Sequence, residues 1–464
     1  MWELFQSARL RRLFLAETVI LLLVSSLCTR LCLQVGSPGL QPLALLSLFY
    51  HSLLSGVFFS VATQISMYYL GLYSNSPIGS RTLRLAHLLL AHVLSGCGLS
   101  IWVLVVPQLH FPKVALWLSI AIGSWLLFSL RCLFDEVLQN DHWRRRVLIV
   151  GTGSIGKSVA GWILAFPGAG YKLVGYLSAD RETADPQFHR PVLGSCSHVL
   201  ELVLQHEITD VVFALDSPDD AVLSKLLIVK QHGRKVWSSV HFATEVLHRF
   251  PVELLSPDDI VFDPGFTPSP FALVVKRMGD VLLSAVAIAV LSLVFLVLAL
   301  LIRLDSPGPV FYRQQRIGLR GRRFTIYKFR SMVVSDEKGP LRLTEHNDGR
   351  ITKVGRFMRL HRLDELPQFF NVLRGDMSLV GPRPEVEQSV AELRRILPLY
   401  DQRHAILPGI TSLGQVRFGA ATTTREAQER LGYDLYYQKH MSLAFDLSIL
   451  IDTVKVVLLK TGAR

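Results

Sequence analysis

Cysteine is scarce in this chain. Its 464 residues hold five, at Cys28, Cys32, Cys97, Cys132 and Cys196, and none follows Cys196. Four lie in apolar N-terminal segments, and no Cys/His spacing suits zinc. A zinc site of that kind and a cysteine nucleophile in the C-terminal half are therefore excluded. No tyrosine is followed four residues later by a lysine. That removes the Tyr-x-x-x-Lys pair on which nucleotide-sugar dehydratases and epimerases depend. A small-residue cleavage site is missing after the first apolar segment, and further apolar runs follow, so no cleavable signal peptide is expected.

Hydrophobic residues make up 50% of the chain, which points to a membrane protein. The formal charge is +12 and is unevenly placed. Residues 272–464 contain 29 Lys+Arg against 18 Asp+Glu, whereas residues 1–271 contain 20 against 19. A basic C-terminal half implies an anionic partner. That half begins with a long apolar segment and has no readable nucleic-acid motif, so nucleic acid is not expected. Anionic lipid and nucleotide phosphates fit better.

The length predicts about three domains. In residues 1–140, apolar stretches near 13–33, 43–70, 83–106 and 114–134 predict four transmembrane helices. Arg9, Arg11, Arg12, Arg81, Arg84 and Arg144–Arg146 flank them on one side. Loop 34–42 has no charge and loop 107–113 only Lys113, so both ends of the unit are expected in the cytoplasm. Residues 141–255 read as a Rossmann-like α/β domain, with strands at Val147–Val150 and Asp210–Asp216. A stretch rich in proline and acid, 256–271, reads as a linker, and residues 272–464 form the last domain. This domain carries a fifth apolar run, about 281–302, with positive charge on both sides.

Gly151, Gly153 and Gly156 follow the first strand as a dinucleotide-type turn and a candidate nucleotide-binding site. Gly151 through Ser158 also fits the phosphate-loop pattern, with Asp216 as its potential magnesium-binding acid. Both patterns use backbone N–H groups at a helix N-terminus. The domain is short for a nucleotide triphosphatase, so the Rossmann-like reading ranks first. Asp180 stands where a ribose contact would be, and NAD is not assigned.

The most informative stretch is Arg362–Pro384, which includes Asp364-Glu365-Leu366-Pro367 and Gly381-Pro382-Arg383-Pro384. Pro367 and Gly375 suit the two ends of a short helix. The N–H groups of that helix would favour ionised carboxylates nearby. Adjacent acids beside Arg359, Arg362 and Arg383 are equipment for metal-assisted phosphoryl chemistry.

This run resembles the core of the bacterial sugar transferases, the monotopic polyprenol-phosphate phosphoglycosyl transferases. Tyr327-Lys328-Phe329-Arg330-Ser331-Met332 and Leu407-Pro408-Gly409-Ile410-Thr411 extend the similarity over about residues 272–464. It implies a mainly helical catalytic domain with a re-entrant membrane helix at about 281–302. The implied reaction moves a hexose-1-phosphate from a UDP-sugar to undecaprenyl phosphate, releasing UMP, at the cytoplasmic face of the bacterial inner membrane. The product would start an exopolysaccharide, capsule or O-antigen repeat unit. Asp364 matches the family nucleophile, which forms a phosphosugar–aspartyl intermediate, and Glu365 the acid that holds Mg²⁺. Lys328, Arg359, Arg383 and Asp446 match substrate or phosphate contacts. Helical spacing puts Asp446 with Ser442 and Thr453 on one face, and Asp452 and Lys455 on a face expected to meet water.

Two departures from the family stand out. Ser292-Leu293 replaces the Ser-Pro pair at the bend of the re-entrant helix, leaving Ser292 as the residue that could bend it. Ser412-Leu413-Gly414-Gln415-Val416-Arg417 replaces a segment with a tryptophan and a later arginine. The large architecture resembles members that use UDP-glucose or UDP-galactose. A homo-oligomer is compatible with this reading. Two rivals are a membrane-bound nucleotide-sugar dehydratase or epimerase, which lacks its catalytic pair here, and a nucleotide-sensing membrane assembly protein, which leaves Asp364-Glu365 unexplained.

Overall fold

The computed structural model describes residues 8–36, 42–73, 81–105, 113–139, 144–178, 191–215, 220–333, 349–419 and 423–459. Asp180 and Asp216 lie outside the described residues. The four apolar stretches form the helices Ala8–Gly36, Pro42–Tyr69, Arg81–Val105 and Lys113–Gln139. Among the described residues, Arg11–Cys32 and Val114–Phe134 are long and apolar enough to cross a membrane by themselves. Their outer faces expose large apolar side chains such as Leu23, Leu27, Trp117 and Trp125. Inside, Glu17 accepts from Arg131 Nε at 2.6 Å and from the Tyr73 hydroxyl at 2.7 Å. Arg131 also donates to Leu72 O at 2.7 Å. Burial of that charge is offset by a salt bridge with further hydrogen bonds.

The predicted strands appear as β1 (Arg145–Val150) and β4 (Asp210–Phe213). With β2 (Tyr171–Ser178), β3 (Val192–Ser195) and β5 (Lys235–Ser238) they make one sheet in the order β3-β2-β1-β4-β5. Gly151 has φ +125°, and a Cβ there would meet Ala214 O at 2.4 Å. A Cβ on Gly156 would meet Gly151 O at 2.3 Å. Both positions need glycine for close backbone approach. The helix Ser154–Ala165 begins directly after Gly153, so Lys157 and Ser158 lie within it. Ser158 Oγ donates back to Ser154 O. This is the geometry of the dinucleotide-type turn, with no extended loop before Lys157.

The stretch between this sheet and the last domain is ordered. The helix Pro257–Val261 opens on a capping box between Ser256 and Asp259. Asp263 then accepts from Lys439 Nζ at 2.5 Å, and Phe250 N donates to Gly432 O at 3.1 Å. The expected linker is thus packed along the helix Thr424–His440.

The fifth apolar run is two helices, Pro270–Val290 and Ser292–Asp305, which meet at 62°. Leu291 takes the break, with φ −89° and ψ 5°. Ser292 has no side-chain hydrogen bond among the described residues, so the expectation that its hydroxyl bends the helix is not met. The bend is imposed from outside. On the first arm, Arg277 donates to Val372 O at 2.6 Å and Leu373 O at 2.9 Å, and Asp280 accepts from Leu379 N at 3.1 Å. On the second arm, Leu298 and Ile302 are buried with Phe329 and Met358. Phe295 adds ring contacts to Phe329 and Phe370 at 5.3 and 5.7 Å. Arg330 closes the arm by donating to Ile302 O and Ser306 O. Met278, Val290, Leu293, Leu296 and Leu304 remain exposed, an apolar surface too large for contact with water alone.

Candidate functional site

Lys328 is delivered by a hairpin. β6 (Phe311–Ile317) and β7 (Arg323–Phe329) pair antiparallel, with Tyr312 opposite Lys328. Asn371, fully buried, accepts from Tyr327 N at 3.0 Å and donates to Thr325 O at 2.7 Å. It thereby ties β7 to the helix Gln368–Arg374. Nothing in the sequence pattern singled out Asn371, because a buried asparagine looks like any polar helix residue until its partners are known.

Arg383 is delivered by a second pairing. β8 (Ser378–Val380) and β9 (Gly409–Thr411) run parallel, joining the Gly-Pro-Arg-Pro and Pro-Gly-Ile-Thr motifs. Gly409 N donates to Pro382 O at 3.0 Å, and a Cβ on Gly409 would meet Gly381 N at 2.1 Å. Only glycine lets these backbones approach so closely. The Arg383 carbonyl accepts from Arg403 Nη2 at 3.0 Å, and Arg403 is itself paired with Asp434 at 2.8 Å in a buried salt bridge. Arg403 and Asp434 hold Arg383 in place, and they were not among the predicted residues.

Asp364 and Glu365 lie in a short 3-10 turn, Leu363–Glu365, entered through Arg362 at φ +53°. An arginine in the left-handed region is strained, and such strain gathers at functional sites. Pro367 caps the next helix with φ −62°, and Gly375 ends it at φ +98°. The sequence reading placed helix N–H groups beside the two acids. In the structure the compensating charge comes from side chains instead. Glu365 Oε1 accepts from Lys328 Nζ at 3.0 Å and from Arg383 Nη2 at 2.9 Å, and Arg362 Nη1 lies 4.0 Å from Oε2. The intervening 3-10 turn separates the carboxylates from the start of the longer helix.

These neighbours drive the two acids apart. Burial pushes the Glu365 carboxyl up, but Arg383 and Lys328 together outweigh it and hold it well below the usual range. Burial first, and then the Glu365 charge, raise Asp364 above its ordinary value, against the pull of Lys328, Arg359 and Arg383. The result is a fixed anion beside a half-buried carboxyl. Asp364 has no hydrogen-bond donor within reach among the described residues. Arg359 Nη1 is also buried without a partner among them. Five of the predicted residues, Lys328, Arg359, Asp364, Glu365 and Arg383, thus form one charge cluster.

Asp446 takes another position. It accepts from Lys276 Nζ at 2.6 Å and from the Tyr437 hydroxyl at 2.6 Å, so it fastens the helix Leu443–Leu459 to the first arm of the bent pair. Burial raises its carboxyl above the ordinary value even with Lys276 beside it. The expectation that Asp452 faces water is corrected, since Asp452 is buried. The exposed face of this helix carries Leu443, Leu447 and Val454, while Asp446, Ser448 and Asp452 are buried together with Phe445 and Ile449. Thr453 meets Thr411 Oγ1 at 2.7 Å. Leu413, where the family has tryptophan, is buried. Gly151, Gly153 and Gly156 stand at the sheet, separate in sequence and in side-chain contacts from the cluster.

Among the described residues no group of three or more His, Cys, Asp or Glu could hold a metal by itself. Glu365 Oε2 is, however, clear of the two short hydrogen bonds, which both fall on Oε1. With Asp364 adjacent, two carboxylates are available to a cation whose other ligands come from a substrate phosphate.

The profile of the family described as bacterial sugar transferase matches residues 271–460. The UDP-N-acetylgalactosamine-undecaprenyl-phosphate N-acetylgalactosaminephosphotransferase of Aeromonas hydrophila is 44% identical over 197 residues, covering 42% of this chain and 47% of the relative. The UDP-glucose:undecaprenyl-phosphate glucose-1-phosphate transferase of Xanthomonas campestris pv. campestris is 32% identical over 339 residues, covering 68% and 66%. The chain therefore spans less than two thirds of either relative. The exopolysaccharide production protein PSS of Rhizobium leguminosarum bv. phaseoli is 43% identical over 189 residues, 39% of this chain and 94% of the relative. With the motif residues gathered at one cluster and a relative matched over nearly its whole length, this chain belongs to the bacterial sugar transferase family.

Proposed function

We propose that this chain transfers a sugar-1-phosphate from a UDP-sugar to undecaprenyl phosphate and releases UMP. The observation that carries the reading is Asp364, half-buried, without a hydrogen bond among the described residues, and under the influence of three cations beside a fixed Glu365 anion. Asp364 attacks the β-phosphorus, the bond to UMP breaks, and a phosphosugar–aspartyl ester forms. The lipid phosphate then displaces Asp364. Covalent catalysis divides one transfer between anions into two steps. Lys328, Arg359 and Arg383 neutralise the diphosphate as the carboxylate approaches. Glu365, with Asp364 adjacent, would hold Mg²⁺, which when bound would supply further charge neutralisation on the diphosphate. Asp446 positions the site through Lys276 and Tyr437. The test is UMP release from membranes holding the full chain, given undecaprenyl phosphate and a panel of UDP-sugars. Sustained release should need both substrates, with at most one UMP per enzyme freed in the absence of lipid, and should fall to background with EDTA. Activity that survives EDTA would remove the metal from the reading.

The architecture that supports this reaction is four spanning helices and a re-entrant pair, with the catalytic domain on the cytoplasmic face of the inner membrane. UDP-sugars are made in the cytoplasm, and Lys276, Arg277 and Arg303 flank both ends of the bent pair. In a chain lacking its native cysteines, Glu253→Cys and Gln388→Cys should both resist an impermeant thiol reagent in intact cells. Labelling of Gln388→Cys alone would mean that the pair crosses the bilayer.

A further inference from the structure

A pocket of about 260 Å³ is lined by Glu365, Arg362 and Gln415, with Leu366, Phe369 and Ile410 among its apolar walls. Gln415 stands on the short helix Leu413–Arg417, where Ser412 Oγ accepts from Gln415 N at 3.1 Å and sets the turn. Gly414 lets this helix lie close to Arg430, since a Cβ there would meet Arg430 Cγ at 3.0 Å. So fixed, Gln415 has its Oε1 buried with no hydrogen-bond partner among the described residues. Buried carbonyls in native proteins are nearly always paired, so this acceptor calls for a ligand with a donor.

Apolar walls with one unpaired acceptor suit a flat ring bearing an N–H on its edge. Uracil has two apolar faces and an N3–H between two carbonyls. A side-chain amide can accept from N3–H through Oε1 and donate to a flanking carbonyl through Nε2. Phe369 offers the ring an aromatic wall. Because Glu365 and Arg362 line the same pocket, a nucleoside seated there would carry its diphosphate to the charge cluster. A polyprenyl chain fits less well. It brings no donor to Gln415, and the helix Leu443–Leu459 turns Leu443, Leu447 and Val454 outward, away from its pocket-lining Thr453 and Val456. We infer that this pocket is the uridine subsite of the donor and that Gln415 reads the uracil edge.

The inference rests on the proposed UDP-sugar donor, and its test separates the two. Calorimetry on the detergent-purified full chain compares UMP with N3-methyl-UMP, and needs no turnover. UMP should bind roughly tenfold tighter or more, the cost of leaving one buried acceptor unpaired. Equal binding, or no binding of UMP, overturns the subsite. Gln415→Met keeps the side-chain length and removes the acceptor. It should raise the KM for the UDP-sugar and the Ki for UMP by about the same factor, with the KM for undecaprenyl phosphate within roughly twofold of wild type. A rise in the lipid KM instead, or no change in either, assigns the pocket elsewhere. If wild type binds UMP with the expected discrimination but releases none from any UDP-sugar, the transfer reaction fails and the base subsite stands.

Discussion

Asp364→Asn is expected to be inactive and more stable than the wild type. An amide is neutral and cannot serve as the anionic nucleophile, so lipid-dependent UMP release should fall to background. The stability change follows from the same burial. The folded carboxyl titrates above its ordinary value, so its charge opposes folding at neutral pH. Removing the charge should raise the Tm at pH 7. As the pH falls through the raised value toward the ordinary one, the wild-type carboxyl becomes protonated in the fold and the two proteins converge. Wild-type kcat/KM should decline over the same window, because the protonated form does not attack. Near-normal turnover by the variant, or a lower Tm with correct insertion, would remove Asp364 from this role.

Glu365→Ala is expected to lose both activity and stability. Its carboxylate is 8% exposed and neutralises Lys328 and Arg383, which also face inward. Deleting it leaves two cations without their anion, and breaking a buried pair from one side costs about 3–5 kcal/mol. Here the sign is opposite to that at Asp364. The folded Glu365 carboxyl titrates below its ordinary value, so it stabilises the fold above that value, and the contribution is lost as the pH falls through the depressed one. Adjacent carboxyls thus give opposite stability changes, read by thermal unfolding at pH 7. A Glu365→Ala protein as stable as wild type would show that the Lys328 and Arg383 contacts carry no net weight.

Much of this organisation was legible in the residues. The apolar runs predict the four N-terminal helices because length and hydropathy are local properties. Gly151 and Gly156 predict a tight strand-to-helix turn because a Cβ has no room there. Asp364, Glu365, Lys328, Arg359 and Arg383 came from motifs that meet in space. What pattern alone missed depends on partners far along the chain. Asn371 ties to Tyr327, and Arg403 supports Arg383 only once Asp434 is beside it. Asp452 is buried, reversing the usual rule for a charged helix residue, and helical spacing alone does not reveal that. The source of charge at Asp364 was misread because a 3-10 turn intervenes before the helix.

The bend at Leu291 has a consequence for the order of events during biogenesis. A proline would break the segment as soon as it was synthesised. Here the break depends on Arg277 reaching Val372 O and on Leu298 and Ile302 packing with Phe329 and Met358, all supplied by chain made afterwards. As it is synthesised, the segment is therefore a continuous apolar run with no proline of its own to break it. Its final course is decided retrospectively, when the later domain closes around both arms. The 62° bend in this chain is thus an outcome of tertiary folding rather than a precondition for it.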